Sequence, residues 1–132
     1  MTGAANYLDT EAKSVVIVMT SGPSAAHRCA TPFYLGALLA AMDADVRIFL
    51  TMEGVRLAEP GVAAELTAMK GGKTILEFIR DAKAAGVRLH LCRLALPGYE
   101  IDPAAVIREV DEVSNASVLA ELILESDKAL FF

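Results

Sequence analysis

Cys92 is the residue whose type and surroundings most favour chemistry. A cysteine attacks as its thiolate, which nearby positive charge stabilises, and Arg93 follows Cys92 directly in the chain. In an extended strand, Arg88 and His90 would lie on the same face as the thiol, because side chains alternate. A packed, unreactive thiol is the other interpretation, since free cysteine is among the most buried residue types. The residues by themselves leave both interpretations open.

Cys29 is the second thiol, placed two residues after His27 and just before Thr31-Pro32, an expected helix start. The dipole at a helix start lowers the pKa of a thiol. A Cys–His pair is nucleophilic when a third group orients it. Simple packing at the helix start, or plain solvent exposure, is the preferred interpretation of Cys29. A reversible disulfide with Cys92 is a further alternative and requires Cα atoms within about 7 Å.

Two other kinds of site find little support in the spacing. The cysteines and histidines lack the spacing of a zinc finger, so we expect no metal. Gly72-Lys73-Thr74 looks like the end of a phosphate-binding loop, but Thr67 stands where that motif needs its first glycine. A glycine turn and a helix capped by Thr74 and Glu77 account for this segment. We therefore expect no cofactor.

Strands and helices alternate along the chain, which predicts a parallel sheet covered by helices on both faces. Apolar, β-branched runs predict strands at Ser14–Met19, Asp45–Thr51, Val87–Cys92 and Lys128–Phe132. Helical patterns and caps predict helices from Thr31-Pro32 to Met42, near Val62–Met69, and at Thr74–Ala85, Ala104–Val110 and Ser117–Ser126. Sites in such sheets form beyond the carboxyl ends of the strands. This rule selects Cys92 and the loops that hold Ser21, Gly22 and Thr51.

The composition restricts the classes of partner and compartment. The net charge is −5 and Lys and Arg do not cluster, which opposes nucleic-acid binding. No apolar run approaches the roughly 20 residues that cross a membrane. The first dozen residues do not look like a signal peptide, so we expect a cytoplasmic protein with reduced thiols. The hydrophobic fraction of 55% exceeds the usual share, so we expect a homo-oligomer that buries the surplus.

Several segments together resemble the DsrE/DsrF-like family, which includes DsrEFH and TusD/YchN-like proteins. The resemblance rests on residues Val15–Pro23, Ala30–Phe33, Asp45–Thr51 with Gly54-Val55, and Ser126–Phe132. It implies an α/β fold of three α/β/α layers with a five-stranded, mainly parallel sheet, assembled as a trimer or hexamer. Residues 14–132 would form a single domain of this type. Residues 1–13, which show no periodicity, would be a flexible tail.

Several members of this family carry sulfur as a cysteine persulfide, and their active cysteine follows a strand after a glycine-ended helix. The segment Gly86–Cys92 matches that context, so the resemblance assigns the role to Cys92, whereas Cys29 has no counterpart. The continuation Arg93–Tyr99 differs from the TusD type.

We therefore expect a sulfur carrier, with Cys92 taking sulfane sulfur from a donor and passing it to a partner thiol. Its partners would be donor and acceptor proteins or low-molecular-weight persulfides. The supporting groups we expect are Arg88, His90 and Arg93 at the thiolate, and Ser21, Gly22 and Thr51 in the crevice. The alternative is a non-catalytic oligomeric protein of the same fold that binds a small ligand or another protein, with an inert, buried Cys92.

Overall fold

The computed structural model describes residues 13–132 of the chain. Residues 1–12, which make up nearly all of the predicted N-terminal tail, lie outside the described part. Lys13, the last residue of that predicted tail, is already tied to the sheet, because its carbonyl accepts a hydrogen bond from Asp45 N at 2.7 Å.

The centre of the fold is a five-stranded sheet in which every strand pairs in parallel with its neighbours. The strand order is β4-β3-β2-β1-β5. The strands are β1 (Ser14–Met19), β2 (Asp45–Leu50), β3 (Arg88–Cys92), β4 (Glu112–Ser114) and β5 (Lys128–Phe131). The predicted α/β fold with a parallel five-stranded sheet is thus confirmed.

Four α-helices and several 3-10 segments connect the strands. The helices are α1 (Thr31–Ala41), α2 (Val62–Glu65), α3 (Ile75–Ala84) and α4 (Ala116–Glu125). The 3-10 segments are Pro23–Arg28, Met52–Ala58, Arg93–Ala95, Pro97–Tyr99 and Pro103–Ala105. Among the residues described, no helix is both long and apolar enough to cross a membrane.

The path of the chain through the sheet fixes which connections share a face. The steps from β1 to β2, β3 and β4 all move in one direction across the sheet, and the step from β4 to β5 moves back. Parallel crossovers are right-handed in nearly all proteins. Helices α1, α2 and α3 and the segment before β4 therefore cover one face, and α4 covers the other.

The central strand β1 is almost wholly apolar, as is typical of a parallel strand that is covered on both faces. In β1, every residue from Val15 to Met19 is buried, as the continuous apolar run predicts. On the face under α1 and α3, Phe33 and Ile79 meet Ile48 of β2 and Leu89 of β3. This apolar layer fixes β2 and β3, whose carboxyl ends carry the candidate site.

Helix α3 begins and ends as its sequence predicts. Thr74 is the N-cap residue, and its hydroxyl accepts a hydrogen bond from Glu77 N at 3.2 Å. Lys73 forms an ion pair with Asp81 on the same helix. Gly86 follows the helix with φ of +101°, a conformation that favours glycine. The helix leads directly into β3 and so sets the position of Cys92.

Two sequence-based expectations about local structure were wrong, and one strand was missed. The predicted helix at Ala104–Val110 is only the 3-10 turn Pro103–Ala105, because Val106 is extended and Ile107 N bonds to Ala58 O at 3.0 Å instead. The N-cap of α1 is Ala30 rather than Thr31. Strand β4 was not predicted, since three residues of mixed polarity carry too little pattern.

Candidate functional site

The candidate site lies where two neighbouring connections leave the sheet in opposite directions. After β3 the chain turns towards the face covered by α1 and α3, whereas after β4 it turns towards the face covered by α4. A crevice at the carboxyl ends of the strands forms at such a reversal. The last residue of β3 is Cys92 and the last residue of β4 is Ser114, and the two are paired in register. The fold thus places a thiol and a hydroxyl side by side at the reversal.

Cys92 is a free thiol held mostly inside the protein. Its exposed fraction is 5%, and it belongs to the hydrophobic core together with Leu91. Its extended backbone keeps the side-chain alternation of β3, so its thiol lies on the same face as His90. A sulfur in this position is screened from bulk solvent but lies at the open end of its strand.

His90 is a buried polar residue with several neighbours on its face of the sheet, among them Glu112, whose Oε2 lies 3.7 Å from Nδ1. Its Nδ1 lies 2.9 Å from Ser114 Oγ, and its Nε2 lies 3.3 Å from Nη1 of Arg47. Its ring stacks on Phe49 with the centroids 5.7 Å apart. The exposed fraction of His90 is 1%. These contacts hold the imidazole in one orientation.

Burial favours the neutral imidazole of His90, and the neighbouring groups favour one of its tautomers. Burial lowers the pKa of His90, an effect that Glu112 opposes and Arg47 reinforces. A guanidinium only donates hydrogen bonds, so Nε2 must accept from Arg47. The ring hydrogen is therefore on Nδ1 and is donated to Ser114 Oγ. His90 thus orients Ser114 and does not itself contact the thiol through a charged hydrogen bond.

The predicted arginines lie near the site in different ways. Arg93 follows Cys92, and its Nη2 donates a hydrogen bond to Val113 O of β4 at 3.3 Å. This bond ties the segment after β3 to the end of β4. Arg88 is exposed at the start of β3, four residues before Cys92 on the same face of the strand. Arg93 is therefore the closer of the two positive charges along the chain.

The other predicted crevice residues lie at the carboxyl ends of β1 and β2. Thr51 N donates a hydrogen bond to Met19 O at 3.0 Å, which joins the two loops. Gly22 packs against the backbone of Glu53 so closely that a Cβ would overlap its carbonyl oxygen. Ser21 precedes this contact. Thr51 follows β2, the strand next to β3. Ser21 and Gly22 follow β1, which is separated from β3 by β2.

Glu53 closes these two loops from the side. Its carboxylate accepts hydrogen bonds from the backbone and side chain of Ser24, including one from Ser24 N at 2.9 Å. The same bonds lower the pKa of Glu53. These hydrogen bonds join the loop after β1 to the loop after β2 at the carboxyl end of the sheet.

Cys29 is a packed core residue, in keeping with the packing interpretation that the sequence favoured. The thiol is fully buried and donates to Gly22 O at 3.3 Å. Burial, with a smaller contribution from Glu53, raises the pKa of Cys29 to about 11. His27 is exposed on the 3-10 segment before it. Both cysteines are free thiols.

Sequence reasoning missed Ser114 and Arg47, the two residues that hold His90. Ser114 belongs to the short strand that carried no detectable pattern. The only local signal was Asn115 after it, a common helix-capping residue that marks the start of α4. Arg47 reads as an ordinary charged residue in β2, and only the strand order brings it beside His90.

Comparisons with known proteins agree with this architecture. The model of the DsrE/DsrF-like family matches residues 13–132. The crystal structure of the ychN protein from E. coli is 24% identical, with a TM-score of 0.74, and covers 92% of this chain and 99% of that chain. MTH1491 from Methanobacterium thermoautotrophicum, described as a protein of unknown function, is 14% identical with a TM-score of 0.65, covering 92% and 100%. A search of curated proteins finds no match. The two structures share the fold, and the family match, which extends from Lys13 to the last strand, identifies the chain as a member of the DsrE/DsrF-like family.

Proposed function

We propose that this protein carries sulfane sulfur as a persulfide on Cys92. The observation that carries the proposal is the position of Cys92 at the end of β3, beside β4, where the connections after the two strands leave the sheet in opposite directions. Membership of a family associated with sulfur relay supports the same conclusion. Cys29 is the less favourable thiol for this role, because it is fully buried and burial raises its pKa, which disfavours the thiolate.

The reaction requires two thiol exchanges and no external oxidant. The Cys92 thiolate attacks the outer sulfur of a donor persulfide, R–S–SH. A new S–S bond forms on Cys92, the old S–S bond breaks, and its electron pair leaves with R–S⁻. In the second exchange, the thiolate of an acceptor attacks the outer sulfur on Cys92. The Cys92 thiolate then leaves and is ready for another cycle.

The burial of Cys92 restricts the donors and acceptors that could take part. Since only 5% of the residue is exposed, a reacting sulfur has to approach Cys92 closely at the carboxyl end of β3. A small persulfide or a cysteine on an extended partner segment fits this requirement. The net charge of −5 makes a nucleic acid an unfavourable direct acceptor.

Mass spectrometry after incubation with a persulfide donor tests the assignment. Intact protein and peptides are compared for the wild type, Cys92→Ser and Cys29→Ser. We expect one added sulfur on Cys92, kept in Cys29→Ser and lost in Cys92→Ser. The added sulfur should then pass to a second thiol. Equal loading of both cysteines, or loading that survives Cys92→Ser, would contradict the proposal.

The same burial favours a second candidate, a non-catalytic binding protein in which Cys92 is inert. The rate of thiol alkylation separates the two candidates. A carrier should react at Cys92 in the native state, well before Cys29. A binding protein with two inert thiols should release both only on unfolding.

We also propose that the protein is a homo-oligomer through α1. This helix contains no charged residue, and Tyr34, Leu38 and Met42 form an exposed apolar stripe at spacing i, i+4, i+8. A trimer or hexamer would cover that stripe. Light scattering should show an assembly for the wild type and a smaller species for Leu38→Glu. Leu94→Glu, at another exposed leucine, is the matched control, and an unchanged mass for Leu38→Glu would oppose this interface.

We place the protein in the cytoplasm, because two free cysteines in one small chain remain reduced there. Residues 14–132 would act as one domain, since their strands contribute to one sheet and one core. Both statements are open to direct test by fractionation and by expression of residues 13–132 alone.

A further inference from the structure

Ser114 has a hydroxyl hydrogen that its contact with His90 does not use. The Nδ1–H of His90 points at Ser114 Oγ, so the oxygen is an acceptor in that bond. The hydroxyl remains free to donate its own hydrogen elsewhere. The exposed fraction of Ser114 is 2%, so that partner has to be another group of the protein or a bound reactant rather than bulk water.

The strand register places Cys92 and Ser114 side by side in neighbouring strands. The two residues are Cα partners in the β3–β4 pair, and partners in a parallel pair present their side chains on the same face. Neighbouring strands lie roughly 4.8 Å apart. Within residues 13–132 the thiol of Cys92 makes no hydrogen bond, and Ser114 Oγ bonds to His90 alone, so a bond between the two would form when the sulfur ionises.

We propose that Ser114 donates its hydroxyl hydrogen to the sulfur of Cys92 whenever that sulfur is an anion, and that His90 is the positioning residue that holds Ser114 for this purpose. The inference rests on the proposed function and adds the groups that make the sulfur exchange proceed. Ser114 is then a reacting-site residue, whereas His90 acts through it.

One hydrogen bond of this kind assists both sulfur exchanges. In loading, Cys92 is the attacking thiolate, and in delivery it is the leaving thiolate, so the same sulfur is anionic at the start of one step and at the end of the other. A donor fixed beside that sulfur stabilises the anion in both. The second exchange benefits most, because a stabilised thiolate is a better leaving group.

The tautomer of His90 excludes the alternative in which it acts as a base. To take a proton from Ser114, Nδ1 would have to be the unprotonated ring nitrogen. Because Nε2 accepts the hydrogen bond from Arg47, the ring hydrogen is on Nδ1, and Nδ1 cannot accept a proton. The charged groups around the pair are Arg47 from β2, Arg88 and Arg93 from or next to β3, and Asp111 and Glu112 at β4. They influence the imidazole and the thiolate together, so the test must isolate the hydroxyl.

The pH profile of Cys92 alkylation by iodoacetamide provides that test, in the full chain with peptide mass spectrometry as the readout. Ser114→Thr and Ser114→Val form a matched pair, because the two side chains have nearly the same shape and differ in the hydroxyl. We expect Ser114→Thr to follow the wild type. In Ser114→Val the midpoint of the profile should rise by about one pH unit, since a hydrogen bond to a charged group has about this effect.

In Ser114→Val, the alkylation rate at high pH should change in the opposite direction to the rate at neutral pH. This difference separates loss of the hydrogen bond from a general disturbance of the site. A thiolate that has lost its donor is more nucleophilic, so its limiting rate should rise about threefold, while the rate at neutral pH falls about threefold. A disturbed site would change both rates in the same direction. Ser117→Ala, at an exposed serine on α4, should leave the profile unchanged.

A second pair of variants tests His90. His90→Asn keeps a nitrogen donor near the position of Nδ1 and should retain most of the wild-type profile. His90→Leu removes the donor and should behave like Ser114→Val. Identical profiles for Ser114→Thr and Ser114→Val, or for the two His90 variants, would overturn the proposal. Because alkylation reports the thiolate alone, failure here is distinguishable from failure of persulfide loading on Cys92.

Discussion

The burial of neutral His90 should make the stability of this protein depend on pH between about 7 and 5, where few other groups titrate. The folded state lowers the pKa of His90, chiefly through burial. In the unfolded chain the imidazole regains a pKa of about 6.5. The unfolded state therefore binds more protons in this range, and stability increases with pH. Acidification below about pH 6.5 should destabilise the fold.

The magnitude follows from linkage. Where His90 stays neutral in the folded state, each pH unit below about 6.5 costs about 1.4 kcal/mol. From pH 7 to pH 5 the loss therefore approaches about 2 kcal/mol, an upper limit reached if the folded imidazole remains neutral down to pH 5. The carboxylates of Glu109 and Asp111, whose pKa values are lowered, lose their contribution at lower pH and form a separate window.

Urea denaturation at several pH values measures this effect, with protein concentration held fixed because an oligomer makes stability concentration-dependent. His90→Asn should be less stable than the wild type near pH 7 but lose little further stability towards pH 5. The chain has one other histidine, His27, which is exposed. His27→Gln is therefore the matched control and should keep the slope of the wild type.

Two results would refute this reasoning. One is a wild-type stability that stays flat between about pH 7 and pH 5, which would mean that His90 is protonated without cost. The other is a slope that survives in His90→Asn, which would mean that another group is responsible. Removal of the slope by His27→Gln would identify that group as the surface histidine.

Three further predictions concern the surroundings of the site. Thr74→Ala should lower the free energy of unfolding by about 1 kcal/mol, because α3 loses its N-cap, and thermal or urea unfolding would detect it. Gly22→Ala should cost about 1–3 kcal/mol by forcing the backbone of Glu53 away, and an unchanged urea midpoint would contradict the close packing. Arg80→Ala should cost about 1–2 kcal/mol, since the mostly buried carboxylate of Glu109 loses its 2.9 Å partner; a double variant with Glu109→Gln should recover part of the loss.

Most of the architecture could be predicted from the chain because its patterns are local. A few residues are enough to predict β1 from its apolar run, and the start and end of α3 from its N-cap and the glycine after it. Strand β4 escaped prediction because its three residues gain their extended conformation from pairing with β3, not from their own propensity. The expected helix after Asp102 fails for the same reason, since its backbone bonds to a distant segment.

The candidate site was only half predictable. A cysteine at a strand end is visible in the sequence, and so are its neighbours in the same strand. Ser114 and Arg47 act on His90 across strand pairs, and the pairing depends on the strand order, which local patterns do not contain. Because of this strand order, His90 contacts Ser114 and Arg47, whereas the sequence suggested that it would support the thiol directly.

The pairing of β1 with β5 has a consequence for how the chain folds. Asp127, just before β5, binds the backbone of Ser14 at the start of β1, although 113 residues separate them. During synthesis, apolar β1 leaves the ribosome long before β5 exists. One edge of β1 therefore stays unpaired while the rest of the sheet assembles. An unpaired edge of this kind can form hydrogen bonds with a strand of another nascent chain. Strand β5, which is short and largely exposed, pairs with this edge last and so ends the period in which β1 is open to such pairing.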